Sequence, residues 1–103
     1  MTIDMAIDTG ATTTLIGWDA LEFVGYHESD ALERVPMTTG SGVVDAAKLK
    51  VKRIEALGKR RSGLVVVGHT LPPSASVDGL LGLDFFRKTR LIIDFRKHMV
   101  RID

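Results

Sequence analysis

The chain has 103 residues, 45% of them hydrophobic and 26% charged, with no cysteine. That length supports one modest core, and the composition excludes a disordered or collagen-like chain, a disulfide framework, a thiolate nucleophile and a cysteine-bound metal. Fourteen basic and thirteen acidic residues leave a formal net charge of +1, too small a field to draw nucleic acid or an anionic membrane by itself.

Met1 to Ala6 include Asp4 and lack a basic stretch followed by an apolar run, so they do not read as a secretory leader. No apolar run approaches the roughly 20 residues of a membrane helix. We therefore expect no membrane partner in this segment and, by default, a cytoplasmic chain. Ile3, Met5 and Ile7 alternate with polar or small residues, the period of a half-buried strand that stops where Thr9-Gly10 breaks it. Asp8 is thereby placed at a strand-to-turn junction. Thr12 to Ile16, rich in β-branched residues, predicts a second short strand. Trp18, Leu21, Phe23 and Val24 recur at helical spacing and predict a helix that Gly25 stops.

Between Arg34 and Leu57 two extended runs flank Thr39-Gly40-Ser41-Gly42, which suits the tip of a long hairpin. Ala47, Leu49 and Val51 should face one way and Lys48, Lys50 and Lys52 the other. Leu64 to Gly68 predicts a fully buried strand. The prolines of Leu71-Pro72-Pro73-Ser74 force an irregular surface segment. From Val77 to Arg90 we expect a strand end at Leu80-Leu81, a hinge at Gly82 and a short helix from about Asp84. Leu91 to Phe95 and Met99 to Ile102 then predict a closing hairpin around Arg96-Lys97-His98. The whole reads as mostly β with one or two short helices and a small closed barrel-like sheet.

Three features stand in order: an apolar strand running into Asp8-Thr9-Gly10-Ala11-Thr12, the glycine-tipped hairpin at Thr39 to Gly42, and Gly79-Leu80-Leu81-Gly82-Leu83-Asp84-Phe85. Read alone, the tripeptide suits an ordinary turn after a strand as well as it suits a functional carboxylate, since Asp and Gly are favoured turn residues. Together the three resemble the retropepsin-like aspartic proteases, particularly their single-domain bacterial members, over nearly the whole chain. Asp8-Thr9-Gly10 matches the catalytic triplet, Thr39, Gly40, Ser41 and Gly42 match the flap tip, and Leu80-Leu81-Gly82 matches the element before the family's short helix.

The resemblance implies a retropepsin-like acid-protease barrel that cleaves polypeptide substrates without metal or cofactor. Peptide hydrolysis of this kind needs a base to activate water and an acid to protonate the carbonyl oxygen or the leaving amine. Two carboxylates about 3 Å apart share one proton and supply both at once. This chain carries one such triplet, so the resemblance implies a homodimer with Asp8 from each copy on the two-fold axis. It further implies that the Thr9 hydroxyl bonds across the dimer and that the Gly10 N–H serves the carboxylate. Gly40 and Gly42 would let the flap close on an extended peptide, with Ser41 facing solvent until substrate arrives. Gly82 would lie under the turn carrying Asp8, where a side chain would collide. Ala11 stands where many bilobal relatives carry serine, and from this we expect a mildly acidic pH optimum. Seven residues precede Asp8, fewer than the family usually carries there. We therefore expect one domain over residues 1–103 lacking an N-terminal strand, with Met99 to Asp103 as the better dimer contact.

Other readings of these residues are weaker. An aspartyl-phosphate phosphatase would need Asp where Gly10 stands, and a parallel sheet with crossover helices. Lys48, Lys50, Lys52, Arg53, Lys59, Arg60 and Arg61 form a dense basic region without interleaved aromatic residues, the pattern of a solvated strand face rather than a nucleic-acid surface. His27, His69 and His98 have no metal-ligand spacing. Trp18 and the phenylalanines suit a core or a dimer contact. A second function class keeps the same architecture without catalysis, as a peptide-binding or assembly module.

Overall fold

Alternating side chains at Met5–Ile7 form the first strand, β1, with Met5, and Ile3 just before the strand, packed on the core. The structure, a computed structural model, describes residues 1–40 and 42–103, and the backbone alone at Thr39. In chain order follow β2 (Leu15–Gly17), the helix α1 (Trp18–Phe23), a single 3₁₀ turn at Glu28–Asp30, β3 (Glu33–Thr39), β4 (Gly42–Ala56), β5 (Lys59–His69), β6 (Gly79–Leu81), β7 (Leu91–Asp94) and β8 (Met99–Ile102). Six strands form one sheet in the order β1-β6-β2-β5-β4-β3, and β7 pairs with β8. The expected barrel-like sheet is thus present as a curled half-barrel in a mostly β fold.

The long hairpins follow from local chemistry. β3 and β4 pair from Glu33↔Lys48 to Thr39↔Gly42, so the glycine-rich stretch is the hairpin tip, and Ser41 within it lies outside the described residues. β4 and β5 pair antiparallel as far as Ala56↔Lys59. Leu57 (φ 54°) and Gly58 (φ 77°) join them, and a two-residue link with both φ positive is the turn whose twist matches the flanking strands. Ala47, Leu49 and Val51 are buried while Lys50 and Lys52 are exposed, as alternation requires. The basic run is partly neutralised on the surface: Lys48 pairs with Glu33, and Arg53 and Arg60 both pair with Glu55.

One core cluster joins Ile16, Trp18, Ala20 and Leu21 to Ala47, Leu49, Val51 and Val66, packing α1 against β2, β4 and β5. A second gathers Leu81, Phe85 and Phe86, the two rings meeting edge to face with centroids 5.3 Å apart. Each fully buried large side chain contributes about 1.5–3 kcal/mol of burial free energy. Among the described residues no helix is long and apolar enough to cross a membrane.

Three expectations are corrected. The second strand begins at Leu15, because Thr14 gives its N–H and hydroxyl to the Asp84 carboxylate instead of a ladder. The helix expected from Asp84 is a run of turns closed by Phe85 N–H to Gly82 O, Phe86 N–H to Leu83 O and Thr89 N–H to Phe86 O. The segment Leu64 to Gly68 is not covered throughout: Val66, Val67 and Gly68 are buried but Val65 is 38% exposed, as fits a sheet with one solvated face.

Candidate active site

The sheet order explains how the loop carrying Asp8 is built. β6 lies between β1 and β2, parallel to the first and antiparallel to the second. The connection from β1 to β2, Asp8 to Thr14, must therefore pass over the C-terminal end of β6. Asp8 is fixed at the start of that crossing, where its N–H donates to Leu81 O at 3.0 Å. Its side chain accepts from the Gly10 N–H at 2.9 Å, the local turn that an Asp two residues before an unhindered N–H favours. Ala11 N–H donates to Asp8 O at 3.1 Å and closes the turn. Asp8 and Ala11 are half-buried, and Thr9 and Gly10 are exposed.

Gly82 continues β6 directly beneath this loop. A Cβ at that position would lie 2.8 Å from the carbonyl carbon of Thr13 and 2.9 Å from Ala11 O, closer than real contacts allow. Gly82 N–H donates to Thr14 Oγ1 at 3.1 Å and Leu83 N–H to Ala11 O at 2.8 Å. The loop thus rests on residues 81–83 as on a ledge. Asp8, Thr9, Gly10, Ala11 and Gly82 form one location. Thr39, Gly40 and Gly42 form another, at the tip of the β3–β4 hairpin, and β3 ends the sheet opposite β1.

Two residues that the sequence did not mark as belonging here are Thr14 and Asp84. Thr14 is wholly buried and donates N–H and hydroxyl to the Asp84 carboxylate. The only sequence signals were a third threonine in Thr12-Thr13-Thr14 and an acid two residues after Gly82. Arg61, read from the sequence only as part of a solvated basic face, has a role here: its guanidinium donates to the main-chain carbonyls of Phe85, at 2.8 Å, and Arg87, holding the same segment.

A cavity of about 560 Å³ lies elsewhere. Ile3, Met5, Ile7, Leu21, Val51 and Leu81 are among its mostly apolar walls, and none of the candidate residues lines it. Chemistry favours the Asp8 turn over this volume: an apolar hollow offers no paired acid and base, whereas the turn presents an oriented carboxylate at an open surface. Among the described residues no three His, Asp or Glu gather as a metal site.

Residues 1–88 match the family model described as "gag-polyprotein putative aspartyl protease". The crystal structure of a retropepsin-like aspartic protease from Rickettsia conorii is similar to this chain with a TM-score of 0.66 at 19% sequence identity, covering 99% of this chain and 72% of that one. The retroviral protease-like domain of Ddi1 from Leishmania major is similar with a TM-score of 0.62 at 16% identity, covering 100% and 80% respectively. At such identities the likeness speaks for the fold. No curated protein matches the sequence. With this β6 ledge, this Asp-Thr-Gly turn and a family match over most of its length, the chain belongs to the gag-polyprotein aspartyl protease family and has the retropepsin-like fold.

Proposed function

We propose that the chain is one half of a homodimeric aspartic endopeptidase in which Asp8 of each copy supplies one carboxylate. The observation that carries this reading is the Asp8 turn itself: one carboxylate per chain, oriented by Gly10 N–H at 2.9 Å, on a loop whose Thr9 and Gly10 are exposed and available to a second copy.

Two such carboxylates about 3 Å apart hold one proton between them. The ionised member takes a proton from water as the water oxygen attacks the peptide carbonyl carbon, and the protonated member gives its proton to the carbonyl oxygen. The resulting tetrahedral diol collapses with proton transfer to the leaving nitrogen, breaking the C–N bond and restoring the shared proton. Thr9 would bond across the two turns, and Gly10 would keep each carboxylate in plane. Ala11 and Gly82 would border the bound chain. The β3–β4 hairpin, with Thr39, Gly40, Ser41 and Gly42 at its tip, would act as the flap, covering an extended substrate and offering it main-chain hydrogen bonds.

A peptide-library digest by wild type and Asp8→Asn, run from about pH 3 to 8, tests this. The wild type should cleave with a mildly acidic optimum, and Asp8→Asn should lower the rate by at least roughly 100-fold while still folding. Cleavage that persists unchanged in Asp8→Asn, or activity that is independent of protein concentration in a strictly monomeric sample, would sink the proposal.

A further inference from the structure

Four donor contacts converge on one carboxylate below the Asp8 loop. Thr14 N–H reaches both Asp84 oxygens at 3.0 Å, Thr14 Oγ1–H reaches Oδ1 at 2.7 Å, and Phe85 N–H reaches Oδ1 at 2.9 Å. Asp84 forms no ion pair among the described residues. The part-buried acid is held by main-chain and hydroxyl donors.

We propose that Asp84 is a positioning residue for the Asp8 turn, acting through Thr14 and Gly82. This rests on the protease reading of Asp8. Thr14 is a junction of three segments: its hydroxyl accepts from Gly82 N–H at 3.1 Å, its carbonyl accepts from Val67 N–H at 2.9 Å, and its donors go to Asp84. The loop is consequently fastened to one short stretch at its start (Asp8 N–H to Leu81 O), its middle (Leu83 N–H to Ala11 O) and its end (Thr14 to Asp84). Loss of the Asp84 contacts leaves the end of the loop held only by Gly82 N–H to the now unoriented Thr14 hydroxyl and by Val67 N–H to the Thr14 carbonyl, and the height of the Asp8 carboxylate above β6 becomes less fixed.

The site demands an acceptor-only group. A carboxylate offers two oxygens and no hydrogen, whereas an amide would set an NH₂ against the Thr14 N–H. Burial of a donor without a partner destabilises that local arrangement specifically.

The test compares wild type, Asp84→Asn, Asp84→Ala and Thr14→Ser for kcat and KM on a cleaved peptide, with amide hydrogen exchange measured in parallel. Asp84→Ala should lower kcat on the order of 100-fold and Asp84→Asn roughly 10-fold, because small misplacements of a reacting group carry penalties of that size. KM should stay within about threefold, since the change falls on the transition state rather than on substrate binding. Thr14→Ser, which keeps the hydroxyl, should remain near wild type. Amides of residues 8–14 should exchange at least about tenfold faster in Asp84→Asn while those of β4 and β5 do not change. Should Asp84→Ala fail to fold, Asp84→Asn carries the comparison. A folded Asp84→Asn with wild-type kcat and wild-type exchange at residues 8–14 overturns the proposal. If the wild-type chain cleaves nothing, the protease reading fails on its own. Exchange then decides: faster opening confined to residues 8–14 upholds the role of Asp84, and unchanged or uniformly faster exchange overturns it.

Discussion

A methyl group on Gly82 would press against main-chain atoms of Ala11 and Thr13 that cannot rotate out of the way. Gly82→Ala is therefore expected to destabilise the fold by about 1–3 kcal/mol, seen as a lower denaturant midpoint. Gly40→Ala, whose Cβ meets nothing within 4 Å, should stay within about 0.5 kcal/mol of wild type. Similar midpoints for the two variants would contradict the ledge geometry. The close approach at Gly82 could be read in the sequence because a glycine after two apolar residues has few other reasons to be there. Asp84 could not be read in the same way. An acid near a turn suits a helix start equally well, and its real partner, Thr14, lies 70 positions away in the chain.

At the scale of elements, the β4–β5 link puts a leucine where the backbone is left-handed, with Leu57 at φ 54°. Leu57→Asn should stabilise the hairpin by about 0.4–1 kcal/mol, since asparagine tolerates that region with less steric penalty. An unchanged or lower melting temperature would argue against it. The β7–β8 hairpin is closed by Arg90 and Asp103, which exchange main-chain hydrogen bonds and meet side chain to side chain at 2.8 Å and 3.0 Å. The hydrogen bond from Arg90, aided by its charge and that of Arg101, lowers the Asp103 pKa below the usual carboxylate value. A depressed folded pKa gives a contribution that is present above the unfolded value and lost as pH falls through the folded one. The hairpin should thus loosen only on the acid side, and both groups are solvent-exposed, so the contribution is small. NMR titration of Asp103 in Arg90→Ala should show its carboxyl titrating at higher pH than in wild type; an unmoved titration would refute the pairing. The hairpins and their faces were legible because period-2 alternation and glycine-rich tips are local signals. The turn run after Gly82 was not, since its shape is set by Thr14 and Arg61, which come from remote strands.

For the molecule as a whole, large apolar side chains lie open on and beside the last hairpin: Phe95 is 84% exposed, Met99 51%, Ile93 44% and Val100 37%. In the proposed dimer this surface is the candidate contact, as the sequence expectation for Met99 to Asp103 would have it. Phe95→Ser should weaken association by roughly tenfold or more, the effect of losing a buried aromatic anchor, with little change in monomer melting. Sedimentation at several concentrations would check it, and an unaltered association constant would assign the dimer contact elsewhere. The count of strands was accessible from the sequence, but their order was not. Nothing local announces that β6 inserts between β1 and β2.

That insertion has a consequence for biosynthesis. Among the described residues β1 has β6 as its only strand neighbour, so Met5–Ile7, made before β6, wait unpaired until residues 79–81 have left the ribosome. A nascent polypeptide interrupted before that point would carry the Asp-Thr-Gly sequence with no platform beneath it. Whatever chemistry the turn supports is withheld until the β6 segment has emerged, so the newborn chain cannot damage itself or its neighbours before then.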